Sequence, residues 1–101
     1  MDLSLVIPLY NEEESLPELY RWICKVGEAE KLDFEIVFVN DGSTDNSLPV
    51  LKELAAHDSR VKIISFRRNH GKSAGLNVGF AAASGDVVIT MDADLQDSPD
   101  E

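Results

Sequence analysis

The sequence predicts an α/β fold in which a mainly parallel sheet of about four strands carries helices on both faces. Four apolar runs rich in β-branched residues alternate with three stretches of helical period, which is typical of a parallel sheet. The strand runs show no clean polar alternation, which indicates strands covered on both faces and therefore central in the sheet. With 101 residues and 44% hydrophobic content, the chain is one domain or part of one.

The predicted strands are residues 3–8, 34–40, 61–66 and 86–91. The first helix is predicted to start at Ser15, because Glu18 completes a capping box and Pro17 stands in the first turn. This helix runs to about Glu30. Its predicted buried stripe is Leu16, Leu19, Tyr20, Ile23, Cys24 and Gly27.

The second helix opens within "STDNSLPV" and is predicted to be capped by Thr44 or Asp45. Its inward residues are Leu48, Leu51, Leu54 and Ala55. The third helix is predicted over residues 71–83, where Gly71, Gly75 and Gly79 recur every four residues. Such a glycine stripe lets a helix and a sheet approach closely.

Charge and cysteine content narrow the function classes. Nine Lys and Arg against nineteen Asp and Glu give a formal charge of −10, which argues against nucleic acid or anionic lipid as a partner and suits a chain that recruits a metal cation. The single Cys24 has no partner for an internal disulfide, and its mid-helix position indicates packing. No secretory signal and no apolar run of about 18 residues is visible, so a cytoplasmic location is expected.

Four polar loops follow the carboxyl ends of the predicted strands, where ligands sit in open parallel sheets. They read "PLYNEEES", "NDGSTDNS", "RRNHGKS" and "DADLQDSPDE". In the second loop, Ser43, Thr44, Asp45 and Ser47 are interpreted as turn and cap residues. Asp41 stands at the strand end itself, where its carboxylate could accept hydrogen bonds from a nucleobase or ribose.

The third loop contains a partial phosphate-binding pattern. Gly71, Lys72 and Ser73 match the tail of the GxxxxGK[ST] loop, but the first glycine of that motif would fall on Phe66. A weaker signal remains, because a glycine at a helix start with Lys72, Arg67 and Arg68 nearby makes a local positive site for a phosphate or diphosphate. His70 is interpreted as a surface residue.

The fourth loop, "MDADLQD", is a candidate metal site. Asp92 and Asp94 are two positions apart, so both carboxylates point to one side of an extended segment, and Gln96 has the same parity. Carboxylates and substrate phosphates are the usual ligands of Mg²⁺, and Mn²⁺ accepts the same donors. The following "SPDE" indicates another helix start at Ser98.

Taken together, these loops resemble the nucleotide-binding half of a family-2 glycosyltransferase with the GT-A fold, a Rossmann-like α/β architecture. The matching segments, in order, are "VIPLYNEEESLPEL", "VNDGSTDNS", "RNHGKSAGLNVGF", "ASGD" and "MDADLQD". The form "DADLQD" followed by proline is most similar to dolichyl-phosphate mannose synthases and bacterial polyprenyl-phosphate glycosyltransferases. That branch uses a nucleotide-sugar donor and a lipid-phosphate acceptor.

The resemblance implies roles for individual residues. Pro8, Tyr10 and Glu12 would border the nucleoside, Asp41 would reach the base or ribose, and Lys72 would lie against the nucleotide. Asp92 and Asp94 would be catalytic: Asp92 would face the nucleotide and sugar, while Asp94, with Gln96, would coordinate Mg²⁺ or Mn²⁺ on the donor diphosphate. The implied reaction moves a hexose from a UDP- or GDP-sugar to a polyprenyl phosphate, with inversion at the anomeric carbon.

Family catalytic domains are about twice this length. Residues 1–101 are therefore expected to be an N-terminal donor-binding part that ends after the DxD motif, inactive alone and prone to self-association through an open sheet edge. The longer protein is expected at the cytoplasmic face of the membrane.

Two other functions stay open. One is a non-catalytic nucleotide-binding or assembly module that retains only the donor half. The other, a dinucleotide-dependent oxidoreductase, is disfavoured because the first strand leads into "PLYNEEES" and not into a G-x-G-x-x-G turn.

Overall fold

The computed structural model describes residues 1–93, apart from the side chain of Lys72. Strands and helices alternate along the chain, and the observed strands agree closely with the predicted ranges. The elements are β1 (Leu3–Leu9), α1 (Leu16–Ala29), β2 (Phe34–Asp41), α2 (Ser47–His57), β3 (Val61–Phe66), α3 (Lys72–Ala82) and β4 (Val87–Thr90).

The strands form one sheet in the order β3-β2-β1-β4, and every neighbouring pair is parallel. Leu3 of β1 is in register with Phe34 on one side and Val87 on the other. Because the strands are parallel, their carboxyl ends lie along the same edge of the sheet. The predicted α/β class with a parallel sheet is confirmed.

Helices cover both faces of this sheet. On one face, the larger core joins Ile7 and Phe38 of the central strands to Leu16 and Leu19 of α1 and to Leu51 of α2. On the other face, buried valines of β1 and β2 pack with Leu76 of α3; they are Val6, Val37 and Val39. Alternate residues of β1 and β2 thus point into two cores, which explains why both strands are largely apolar on both faces.

The expectation that all four strands are central is wrong for β3 and β4, which form the two edges of the sheet in residues 1–93. Every residue of β4 is exposed, and Val87 and Ile89 are 55% and 47% exposed. An apolar run shows that a strand suits burial, but the neighbouring elements decide whether burial occurs. None of the helices in this part of the chain is long and apolar enough to cross a membrane.

Helix α1 begins next to the predicted N-cap Ser15, with Pro17 in its first turn. The side chain of Ser15 makes no capping hydrogen bond, so the predicted capping box does not form. Four positions of the predicted stripe are buried, namely Leu16, Leu19, Ile23 and Gly27, while Tyr20 and Cys24 are half-buried. Burial raises the pKa of the Cys24 thiol, in keeping with the predicted packing role.

Helix α2 begins at Ser47 with Asn46 as its N-cap, so the predicted cap at Thr44 or Asp45 is wrong. Asp45 still serves the helix start, because its Oδ1 accepts the backbone N–H of Ser47 at 2.9 Å. Of the predicted inward residues, Leu51 is buried, whereas Leu48, Leu54 and Ala55 are half-buried.

Helix α3 packs two of the three predicted glycines against the sheet. A Cβ at Gly79 would lie 2.3 Å from Cγ1 of Val6, whereas one at Gly75 would meet Val39 at 3.4 Å. Gly71 does not belong to this contact, since no atom lies within 4 Å of its Cβ position. Its backbone φ of 91° explains the glycine there. Close approach of helix and sheet is therefore confirmed at Gly79.

Candidate nucleotide-binding site

A cleft of about 310 Å³ opens at the carboxyl edge of the sheet. Its walls come from the ends of β1 and β2, from the loop between β3 and α3, and from Asp92, the second residue after β4. The lining residues are Pro8, Leu9, Tyr10, Asp41, Asn69, Gly71 and Asp92. Because the strands are parallel, their carboxyl ends share one edge of the sheet, and this brings four segments that are distant in sequence to one cleft.

Four of the residues predicted to bind substrate, Pro8, Tyr10, Asp41 and Asp92, line this one cleft. Tyr10 is 45% exposed and offers an aromatic face at the rim. Asp92 is exposed to solvent, whereas Asp41 is only 5% exposed. The cleft thus combines apolar walls, an aromatic ring and two carboxylates, which is a usual composition for a small-molecule site.

Glu12 lies outside this cleft. It borders a neighbouring acidic depression of about 210 Å³ that also includes Glu13, Glu14 and Asp45. The backbone N–H of Glu12 donates to Oγ of Ser47 at 3.0 Å, which ties the loop after β1 to the start of α2. Burial disfavours the ionised form of Asp45, but hydrogen bonds from Ser47 and Glu13 outweigh it and lower the pKa of Asp45.

Asn11 organises this neighbourhood, and sequence reasoning missed it. Its φ of 52° is left-handed, a conformation that asparagine tolerates better than most residues. Its Oδ1 accepts the backbone N–H groups of Thr44 at 2.8 Å and Asp45 at 3.2 Å, and its own N–H donates to Oγ of Ser43 at 2.9 Å. Ser43, Thr44 and Asp45 lie in the connection between β2 and α2, and Asn11 is their hydrogen-bond partner.

Asp41 contacts the loop after β3 through two hydrogen bonds. Its Oδ1 accepts the backbone N–H of His70 at 2.7 Å, and its Oδ2 accepts that of Gly71 at 3.0 Å. The ring of His70 is exposed and meets Phe66 edge-on at 5.0 Å, in agreement with the predicted surface position. Lys72 follows directly as the first residue of α3.

The predicted metal ligands Asp94 and Gln96, and the helix start at Ser98, lie outside the described residues. Within residues 1–93, no group of three His, Cys, Asp or Glu side chains is placed to hold a metal ion. The Asp92 carboxylate is a hard oxygen donor at the cleft and is chemically suited to Mg²⁺ or Mn²⁺.

Comparison with known proteins places these features in a family. The model of glycosyl transferase family 2 matches residues 4–101. An undecaprenyl-phosphate 4-deoxy-4-formamido-L-arabinose transferase of Pseudomonas fluorescens is 48% identical over 100 residues, which cover 98% of this chain and 29% of that protein. The chain therefore spans less than a third of the length of this relative.

Two solved structures share the fold. TarS 1-349 of S. aureus in complex with UDP-GlcNAc is 30% identical with a TM-score of 0.79, covering 93% of this chain and 27% of that one. Glucosyl-3-phosphoglycerate synthase of Mycobacterium tuberculosis, in complex with Mn²⁺, UDP and phosphoglyceric acid, is 28% identical with a TM-score of 0.68, covering 92% and 33%.

Proposed function

The chain belongs to glycosyl transferase family 2, and from this premise we propose that it is the donor-binding part of a glycosyltransferase acting on a polyprenyl phosphate. The observation that carries the proposal is the cleft at the carboxyl ends of the strands, which Tyr10, Asp41 and Asp92 line together. The UDP-GlcNAc complex of TarS and the acceptor named for the Pseudomonas relative support it.

The donor nucleotide occupies the cleft in this proposal. Pro8 and Tyr10 border the nucleoside, and Glu12 approaches it from the neighbouring depression. Asp41 reaches the base or ribose with lone pairs that its two loop contacts leave available, since a carboxylate can accept about four hydrogen bonds. Lys72, at the start of α3, contributes positive charge beside the diphosphate.

Asp92 faces the nucleotide and the sugar, and Asp94 with Gln96 would hold a divalent metal beside the donor diphosphate. Mg²⁺ and Mn²⁺ both suit such oxygen donors, and the mycobacterial synthase was solved with Mn²⁺ and UDP. When bound, the metal stabilises the negative charge that develops on the departing nucleoside diphosphate. Asp92 and Asp94 are the catalytic residues of this proposal.

An oxygen of the acceptor phosphate forms the new bond to the anomeric carbon while the bond from that carbon to the donor diphosphate breaks. Attack from the face opposite the leaving group inverts the anomeric centre. Because a phosphate is already anionic near neutral pH, the reaction has less need of a general base than transfer to a hydroxyl. A hexose is the first candidate sugar, and the formamido-arabinose named for the Pseudomonas relative is the alternative.

We place the reaction at the cytoplasmic face of a membrane, where a polar donor meets a lipid-anchored phosphate. Residues 1–101 contain the donor cleft. We expect them to bind the nucleotide without transferring the sugar, because we expect acceptor binding to need residues of a longer protein. The open edge of the sheet at β4 is expected to favour self-association of the 101-residue chain.

The direct test is a transfer assay with a longer protein that carries this chain. Radiolabelled nucleotide sugar, polyprenyl phosphate and Mn²⁺ are incubated together, and the label is followed into the organic phase. Label that enters the lipid supports the proposal, and comparing hexose donors with the formamido-arabinose donor identifies the sugar. Nucleotide binding without any lipid product would instead favour the non-catalytic module.

A further inference from the structure

The loop between β3 and α3, residues 67–71, reaches the donor cleft through Asn69 and Gly71. Residues 67–70 are exposed, so little apolar burial holds this loop in place. Its position therefore depends on a few polar and backbone contacts. The most direct of these come from Asp41, which lies at the end of β2 and is 5% exposed.

Each oxygen of the Asp41 carboxylate accepts one backbone N–H from this loop. The N–H of His70 donates to Oδ1 at 2.7 Å and that of Gly71 to Oδ2 at 3.0 Å. The Gly71 N–H also lies 3.1 Å from Oδ1 of Asn69, a second acceptor within the loop. Hydrogen bonds to an ionised acceptor are roughly twice as strong as those between neutral groups. The two donors here belong to consecutive residues of the loop. Their bonds to Asp41 fix both the position of the loop and the direction of the backbone that enters α3.

A second contact shows that the loop sits directly on the turn after β2. Gly42, with φ of 73°, has no side chain, and a Cβ there would lie 2.3 Å from the carbonyl carbon of Arg68 and 2.4 Å from the backbone nitrogen of Asn69. The loop backbone therefore occupies the space that any other residue at position 42 would fill. Residues 68–71 therefore pack against Asp41 and Gly42.

We propose that Asp41 is a positioning residue that holds the β3–α3 loop, and with it one wall of the cleft, whether or not a nucleotide is present. Removing its carboxylate should loosen Asn69 and Gly71 at the cleft wall even in the empty protein. The relevance of this loop to donor binding rests on the proposed function. The contact between Asp41 and the loop does not depend on that function.

The test is amide hydrogen exchange, followed by NMR, on the nucleotide-free 101-residue chain. Asp41→Asn keeps the size of the side chain but replaces one acceptor oxygen by a donor. We expect the amides of His70 and Gly71 to exchange at least about tenfold faster in this variant, while amides of β1 such as Val6 keep their rates. Asp45→Asn is the matched control, since Asp45 also accepts two backbone N–H groups, from Ser47 and Glu13, and should leave His70 and Gly71 unchanged.

Unchanged exchange at His70 and Gly71 in Asp41→Asn would overturn the proposal. Uniform acceleration that includes β1 would also overturn it, because Asp41 would then stabilise the whole fold and not the loop. If Asp41→Asn does not fold, Asn69→Ala decides, because it removes the other acceptor of the Gly71 N–H: retained protection of His70 and Gly71 supports the proposal, and exchange at the rate of an unstructured peptide contradicts it. No nucleotide is used, so failure here is distinct from failure of the proposed function.

Discussion

Single residues set how closely α3 can lie on the sheet. At Gly79 the missing Cβ would fall 2.3 Å from Cγ1 of Val6, which is buried and β-branched and therefore has little room to rotate. We expect Gly79→Ala to lower the free energy of unfolding by about 1 to 2 kcal/mol, since overpacking outweighs the gain in helix propensity. Urea denaturation measures this change.

Gly75→Ala is the matched control in the same helix. Its new Cβ would meet Val39 at 3.4 Å and Pro8 at 3.6 Å, which are ordinary contacts. We expect the stability of this variant to equal that of the parent or to exceed it by up to about 1 kcal/mol. Equal losses at both positions would contradict the packing explanation.

The DxD pair yields a second prediction at the residue scale. If Asp94 holds a metal on the donor diphosphate, Asp94→Asn should weaken Mn²⁺-dependent nucleotide binding about tenfold, or about 1.4 kcal/mol, in isothermal titration calorimetry. Asp86→Asn makes the same change of charge at the opposite end of β4 and should bind like the parent. Equal affinities for Asp94→Asn and the parent would argue against the metal role.

Among single residues, Pro8, Tyr10, Asp41 and Asp92 line one cleft, on the edge where the sequence predicted the polar loops, because strand ends share an edge in a parallel sheet. Their roles in binding stay predictions. The sequence did not predict Asn11 as the organiser of the adjacent loops, although asparagine before a helix start is a weak signal for a left-handed residue. The contacts of Asp41 with residues about thirty positions away depend on tertiary placement, which local patterns do not contain.

At the scale of elements, a buried carboxylate joins three strands at the end of the sheet opposite the cleft. Glu35 is 1% exposed. Its Oε2 accepts hydrogen bonds from Oγ of Ser4 at 2.5 Å and from the backbone N–H of Ser84 at 2.6 Å. Its Oε1 forms an ion pair with Nζ of Lys62 at 2.5 Å. Burial disfavours the ionised form, but these partners outweigh it and lower the pKa of Glu35. The network fixes the connection from α3 to β4.

We expect Glu35→Gln to lower the free energy of unfolding by about 2 kcal/mol at pH 7, since Lys62 is half exposed and water limits the value of the ion pair. Because the folded-state pKa is lowered, the stabilisation by Glu35 is present above the unfolded-state value of about 4.3 and is lost as pH falls through the folded-state pKa. The stability difference between parent and variant should therefore shrink at acid pH.

Urea denaturation at neutral and acid pH checks this prediction, with Glu53→Gln, an exposed position in α2, as the control. A difference that stays constant with pH would show that the Glu35 network does not act through its charge.

The positions of strands and helices were predictable because the local sequence pattern determines them. Their exposure and their caps were less predictable, because these depend on the elements packed against them. The apolar runs located every strand, yet they gave no sign that β4 is exposed, because exposure depends on what packs against a strand. The cap of α2 was misplaced because Asp45 and Thr44 also hydrogen-bond with the loop after β1. Sequence alone offers several good capping residues there and no means of choosing among them.

At the scale of the whole molecule, β4 is an edge strand of the described sheet with exposed apolar side chains. Such edges pair readily with other strands. We expect the sedimentation-equilibrium mass of the 101-residue chain to rise with concentration above its monomer value of 11.1 kDa. Ile89→Lys should reduce this self-association.

Phe80→Lys is the control, because Phe80 of α3 is 46% exposed and Ile89 is 47% exposed. If both variants reduce the association equally, general hydrophobicity and not the β4 edge would be responsible. A parent chain that stays monomeric at all concentrations would contradict the predicted self-association.

The central claim is that the cleft at the carboxyl edge of the sheet binds the nucleotide of a sugar donor. A ligand that binds only the folded state raises its stability, by about 2.7 kcal/mol at a hundredfold excess over Kd. The most direct measurement is the thermal unfolding of the 101-residue chain with UDP and with GDP, each with and without Mn²⁺. We expect one nucleotide to raise Tm in a Mn²⁺-dependent manner, which would also identify the base. An unchanged Tm under all four conditions would contradict the claim.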